Sequence, residues 1–165
     1  MAKTKLLIAG IVKESVVDGP GIRYVIFVQG CKHHCFNCHN PATWSFDGGT
    51  LLDEATIIKE INENPLLSGV TISGGDPFFQ KEALLRVIKL IKEATKKEII
   101  VYTGFTVEAL LADDDPLVAE LFRYIDILID GPYRHELRDL SLKFIGSSNQ
   151  RIINLKTELG KYQKK

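Results

Sequence analysis

The chain has 165 residues, 45% of them apolar and 25% charged, with a formal net charge of zero. That length suits one domain with a real core, and the balanced charge offers no footprint for a nucleic-acid partner. No stretch approaches the roughly 18 apolar residues of a membrane span, so no membrane partner is expected.

The opening Met1-Ala-Lys-Thr-Lys-Leu-Leu-Ile-Ala-Gly is faintly signal-like, but its apolar run is short and soon meets Lys13 and Glu14. It reads as the first strand, Leu6–Val12. A second strand is predicted over Arg23–Val28. The segment after Asp53 carries Ile57, Ile58 and Ile61 at helical spacing and must end before Pro65. A strand over Val70–Ser73 leads to a helix from about Gln80 to Thr95, with Leu84, Leu85, Ile88 and Ile91 inward. Glu82/Arg86 and Glu93/Lys97 are spaced for its wet face. Further strands fall at Ile99–Thr103, Ile125–Ile129 and Arg151–Asn154, and Asp115-Pro116 has the form of an N-cap followed by proline in the first turn. The basic, polar stretch from Leu155 to Lys165 reads as a loosely held end. Strand–helix alternation predicts an α/β fold with a parallel sheet, 1–165 forming a single domain. A closed (β/α) barrel needs about 250 residues, so this chain has too few units to close one.

Cysteine appears only as Cys31, Cys35 and Cys38, in Cys31-Lys-His-His-Cys35-Phe-Asn-Cys38. Clustered thiols without others argue against a disulfide framework and for a reducing, cytoplasmic setting. Structural zinc and ordinary iron–sulfur sites are closed by four protein ligands. Three thiolates can hold a [4Fe–4S] cluster by three irons and leave the fourth open to another ligand. The rival reading is Cys3His zinc, with His33, His34 or His39 completing the set; it implies a metal-binding interaction module without catalysis. Two glycine-flanked carboxylates end predicted strands, in Ser73-Gly74-Gly75-Asp76-Pro77 and Asp130-Gly131-Pro132-Tyr133. Each is a strand-end turn, or a place where backbone and carboxylate meet a ligand. Val17-Asp18-Gly19-Pro20-Gly21-Ile22-Arg23 carries turn chemistry of its own.

Taken together, the cysteine loop with its following His39-Asn40-Pro41-Ala42-Thr43-Trp44, the Asp18 segment, Gly-Gly-Asp-Pro and Gly146-Ser-Ser-Asn-Gln-Arg151 resemble the radical S-adenosylmethionine (SAM) superfamily. The likeness spans about Gly10 to Leu155. It is closest to activating enzymes of glycyl-radical enzymes, and among these to the activators of anaerobic ribonucleoside-triphosphate reductase. The resemblance implies an incomplete, open TIM-like β/α barrel. It implies a [4Fe–4S] cluster on Cys31, Cys35 and Cys38, with SAM on the open iron. Further SAM contacts are implied at Asn37, Cys38, His39, Gly74, Gly75, Asp76, Asp130, Gly146, Ser147 and Asn149. Asp76 would receive the SAM ammonium, Asp130 would line the pocket or help bind a monovalent cation, and Asp18 would position the protein substrate. Many relatives have an aromatic residue before the third cysteine; here it is Asn37, which shifts the adenine contact toward backbone at Asn37, Cys38 and His39. The implied partners are the reductase and a flavodoxin-type electron donor, and a homodimer is compatible. Activation of pyruvate formate-lyase, or small-molecule chemistry such as that of carboxydeazaguanine synthase, are alternatives within the superfamily.

Overall fold

A computed structural model describes residues 5–35, 38 and 41–163. Seven strands form one sheet in the order β3-β1-β2-β4-β5-β6-β7. They are β1 (Leu7–Ser15), β2 (Ile22–Val28), β3 (Thr50–Leu51), β4 (Leu67–Gly74), β5 (Glu98–Tyr102), β6 (Ile127–Asp130) and β7 (Arg151–Asn154). The helices are α1 (Glu54–Glu63), α2 (Lys81–Thr95), α3 (Val107–Ala112), α4 (Pro116–Tyr124) and α5 (Leu155–Glu158).

The expected parallel sheet is only the centre of this one. β2, β4, β5 and β6 run parallel. β1 is antiparallel to β2 and β3, and β7 is antiparallel to β6. A short connection explains β1–β2, since antiparallel neighbours need no crossover helix. β7 is reached through the long 131–150 loop, which brings the chain back beside β6 in the opposite direction. β3 and β7 are the two edges of an open sheet.

One face of the sheet carries the helices. Tyr24, Ile26 and Val28 of β2 join Val70, Ile72, Ile99 and Val101 in a core with Ile57, Ile61, Leu84, Ile88, Ile91 and Leu121 from the helices. The opposite parity, Arg23, Val25, Thr71 and Ile100, is equally buried but lies outside that core. Loops cover it instead. A Cβ on Gly19 would stand 2.7 Å from Arg23 Cδ and 2.8 Å from Ile100 Cδ1, so the 16–21 loop lies directly on this face. Arg23, fully buried, ties that loop to the sheet. Its guanidinium donates to Thr71 Oγ1 (2.7 Å), Pro20 O (3.2 Å) and Glu98 Oε1 (3.0 Å), and burial lowers its pKa.

Local signals behave as their chemistry dictates at the helix starts. Asp53 accepts from Thr56 N, Asp115 from Leu117 N, and Pro116 fills the first turn of α4. On α2, Arg86 reaches Glu54 of α1 at 2.7 Å, and Lys97, beyond the helix end, donates to Leu67 O. The end expected to be loose is anchored as far as Tyr162: Leu155 is buried, Tyr162 packs against the core, and the Arg151 guanidinium lies 5.0 Å from its ring centre. Among the described residues no helix is long and apolar enough to cross a membrane.

Candidate functional site

The parallel strands β2, β4, β5 and β6 all end at one rim, and the cysteine loop leaves from the first of them. Its root is pinned on both sides. Gly30 N donates to Thr43 O (2.6 Å) and Cys31 N to Trp44 O (3.1 Å), closing the loop like a short hairpin. Gln29 Nε2 donates to Ala42 O and Ser45 O, and Gln80 Nε2 to Gln29 O. Within the loop His34 adopts a left-handed backbone (φ 47°) and its ring stacks on Trp44 at 4.4 Å, the planes 9° apart.

Gly74 and Gly75 serve this loop first. Gly75 N donates to Val28 O and Asp76 N to Gly30 O, both at 2.9 Å. Gly74 has φ +97°, and a Cβ there would lie 2.5 Å from Val28 N; one on Gly75 would lie 2.4 Å from Gly30 O. The close approach that glycine permits is therefore to the root of the cysteine loop. Gly75→Ala is expected to push that root away, at about 1–3 kcal/mol for overpacking against backbone. The measurement is iron retained per chain after anaerobic reconstitution, alongside the midpoint of urea unfolding; full loading with unchanged stability would contradict it.

A cavity of about 250 Å³ opens at this rim. Cys31, Cys35 and Cys38 line it, with His33, Trp44, Ser73, Gly74, Gly75, Tyr102, Thr103, Gly104, Gly131, Tyr133, Gly146 and Gln150. Of the expected SAM contacts, Cys38, Gly74, Gly75 and Gly146 are on its wall. Asn37 and His39 lie outside the described residues. Asp76, Asp130, Ser147 and Asn149 are placed elsewhere. Asp76 sits behind the wall, buried against β5. Asp130 Oδ1 accepts from Arg151 Nε (3.0 Å), and Oδ2 from Arg151 Nη2 (2.5 Å) and Val107 N (2.8 Å), at the start of α3. Its oxygens are occupied by an ion pair and a helix end. Ser147 Oγ accepts from Arg134 N and Asn149 Nδ2 donates to Pro132 O, both within the 131–150 loop. Gln150 holds Gly146 in place, its Oε1 accepting from Gly146 N at 2.8 Å. Four further wall residues, Thr103, Gly104, Tyr133 and Gln150, were not assigned a role from the sequence; they come from the ends of β5 and β6 and the loop after them. Tyr133 and Gln150 stand inside the Asp130–Tyr133 and Gly146–Arg151 segments, and Thr103 and Gly104 are marked only by lying at the end of a predicted strand.

Asp18 lies next door. Ser15 Oγ donates to its carboxylate (2.5 Å) and Thr71 Oγ1 to its carbonyl (2.9 Å). With Val16, Val17 and the 142–146 segment it lines a groove of about 700 Å³. Tyr102 and Gly146 face both this groove and the thiol cavity.

The donor set suits a thiolate-held cluster. Cys31 is buried, and Cys35 and Cys38 half-buried, all as free thiols. Burial raises the pKa of Cys31 and Cys35, and nearby backbone N–H groups, of His33 and His34 for Cys31 and of Tyr133 for Cys35, act in the opposite direction. Trp44 Nε1 is buried beside the same cavity with no acceptor among the described residues. Among the described residues no group of three or more His, Cys, Asp or Glu is gathered to hold one metal ion.

Comparison with known proteins bears on the same residues. The family described as "4Fe-4S single cluster domain" matches residues 17–153. The anaerobic ribonucleoside-triphosphate reductase-activating protein of Pasteurella multocida (strain Pm70) is 38% identical over 144 residues, 83% of this chain and 90% of the relative. The protein of that name from Escherichia coli (strain K12) is 35% identical over 148 residues, 86% and 94% of the two chains. That of Enterobacteria phage T4 is 34% identical over 142 residues, 82% and 86%. With a cluster-domain match across most of its length and relatives of one name covering nearly all of theirs, the chain belongs to the family of anaerobic ribonucleoside-triphosphate reductase-activating proteins.

Proposed function

We propose that the chain is a radical SAM activase that installs a glycyl radical on anaerobic ribonucleoside-triphosphate reductase. The observation that carries this reading is the meeting of Cys31, Cys35 and Cys38 on one cavity wall with Gly74, Gly75 and Gly146. Those thiols would hold a [4Fe–4S] cluster, and the strand-end backbone would form the bed for SAM. When bound, the cluster would supply the one electron that cleaves SAM to methionine and a 5′-deoxyadenosyl radical, which would take the hydrogen atom from a glycine Cα of the reductase and end as 5′-deoxyadenosine. The electron would come from a flavodoxin-type donor. The chain's own part is to hold the thiols, to line the cavity with ring and backbone rather than with acids, and to leave one side open. The open sheet with loops on one face is compatible with an incomplete barrel, and an open side suits a protein substrate.

The test is anaerobic reconstitution. Four irons per chain, SAM-dependent 5′-deoxyadenosine under a strong reductant, and a glycyl signal by electron paramagnetic resonance on the reductase are expected. A signal on pyruvate formate-lyase alone would redirect the reading to another activase; no deoxyadenosine from the loaded protein would end it.

Asp18 stands at the groove that shares Tyr102 and Gly146 with the thiol cavity. Asp18→Ala is expected to lower glycyl-radical yield on the reductase about tenfold, as for one lost hydrogen bond to a charged group. Uncoupled SAM cleavage should fall much less. Equal losses in the two assays would take Asp18 out of the protein-substrate site.

A further inference from the structure

Asp76 is 1% exposed. Its Oδ1 accepts from Phe78 N and Thr103 Oγ1, both at 3.0 Å. Its Oδ2 accepts from Thr103 Oγ1 (2.9 Å), Gly104 N (2.8 Å) and His33 Nε2 (2.6 Å). A carboxylate has about four lone-pair sites, so this one is saturated. An incoming ammonium would have to displace a donor already in place. Asp76 is also absent from the cavity wall, whereas His33 is on it.

His33 lies between Cys31 and Cys35, and its ring is boxed. Phe105 is 4.6 Å away edge-on and Phe79 is 5.2 Å away. A Cβ on Gly104 would stand 2.6 Å from His33 Cδ2, so glycine is what lets the ring seat against β5. The loop is thus held at its root, at His34 on Trp44, and at His33 on Asp76. The last is the hold that reaches across from β2 to the ends of β4 and β5. Nε2–H can donate to the carboxylate whether the ring is neutral or charged, so the hold does not depend on the ring's charge.

We propose that Asp76 is a positioning residue that acts through His33, clamping the imidazole against the ends of β4 and β5 and so fixing where Cys31 and Cys35 stand. The proposal rests on the reading of these thiols as cluster ligands for its consequence, but the clamp itself belongs to the cluster-free chain.

The test compares His33→Ala, His33→Gln and Asp76→Asn with the parent, first without iron and then after anaerobic loading with iron and sulfide. In the iron-free protein, amide hydrogen exchange over residues 31–35 is expected to accelerate about tenfold in His33→Ala, the scale of one charge-assisted hydrogen bond. His33→Gln, whose amide can donate to the same oxygen, should recover most of it, and the amides of β4 and β5 should not change. After loading, His33→Ala and Asp76→Asn should displace the g values of the reduced cluster alike, and the double variant should go no further than either alone. Parent-like exchange in His33→Ala overturns the clamp. So does an Asp76→Asn protein that loses SAM affinity while His33→Ala keeps parent affinity and g values, which makes Asp76 a direct ammonium ligand. A parent that takes up no iron would remove the cluster reading, and the exchange comparison would still decide the clamp.

Discussion

Cys31→Ala, Cys35→Ala and Cys38→Ala are each expected to bring SAM-dependent 5′-deoxyadenosine release down to background. The chain has no fourth cysteine to take over a lost position. Losing one thiolate leaves two, and the open iron that should receive SAM is then no longer unique. The fold should survive, because none of the three belongs to the hydrophobic core cluster. Circular dichroism and urea unfolding of the iron-free variants should therefore match the parent while iron content drops. The loss should be complete at all three positions, although Cys31 is buried and the other two are half-exposed, since ligation and not packing is at stake. Normal cleavage by any one variant would falsify the three-thiolate assignment and bring histidine back as a ligand.

Arg151→Ala is expected to cost about 3–5 kcal/mol of stability, the penalty for leaving a buried charge without its partner. Asp130 is fully buried and takes two hydrogen bonds from the guanidinium; Val107 N alone would remain. The same guanidinium reaches Glu108 at 2.5 Å and covers Tyr162, so β6, β7, α3 and the chain's end loosen together. Urea unfolding at neutral pH measures it, and a change under about 1 kcal/mol would mean that Asp130 finds solvent. Acid should narrow part of the gap. The hydrogen bond from Arg151 holds the Glu108 carboxyl below its ordinary range. A depressed folded pKa contributes stability that is present above the unfolded value, about 4.3, and is lost as pH falls through the folded one. The parent therefore loses the Glu108 share in acid, and the variant has none to lose.

Much of this was legible in the chain because the signals were local. Apolar runs bounded by turn residues marked the central strands, isoleucine spacing marked α1, leucine and isoleucine spacing marked α2, and Asp115-Pro116 marked the start of α4. β3 was not legible: two residues carry no periodicity, and they pair only because β1 passes beside them. The extension of β1 to Ser15 through Lys13 and Glu14 was hidden by register irregularities between Ile8 and Gly10 and between Val12 and Ser15, which break simple alternation. α3 had a usable mark in Thr106, whose side chain accepts from Ala109 N. The strand at Arg151–Asn154 was readable but its direction was not, since direction depends on where the preceding loop returns. The site divides in the same way. The thiols, the glycines and the two strand-end carboxylates stood out by composition. What Asp76 and Asp130 touch could not, because His33, Thr103 and Arg151 are distant in sequence and become neighbours only in the folded sheet.

The open sheet ends on one side in β7, with four residues, and on the other in β3, whose two residues pair only with Leu7 and Ile8 of the nine-residue β1. A sheet left unclosed exposes unpaired backbone, which invites pairing between copies and, at length, aggregation. β7 is brief and is bracketed by the charged Arg151 and the polar Asn154. The outer edge of β1 beyond Ile8 is the longer one, and two features blunt it: Lys13 and Glu14 put charge on it, and the register irregularities toward β2 break its regularity. Replacing Lys13 and Glu14 with β-branched residues is expected to make that edge adhesive, read as concentration-dependent self-association by sedimentation.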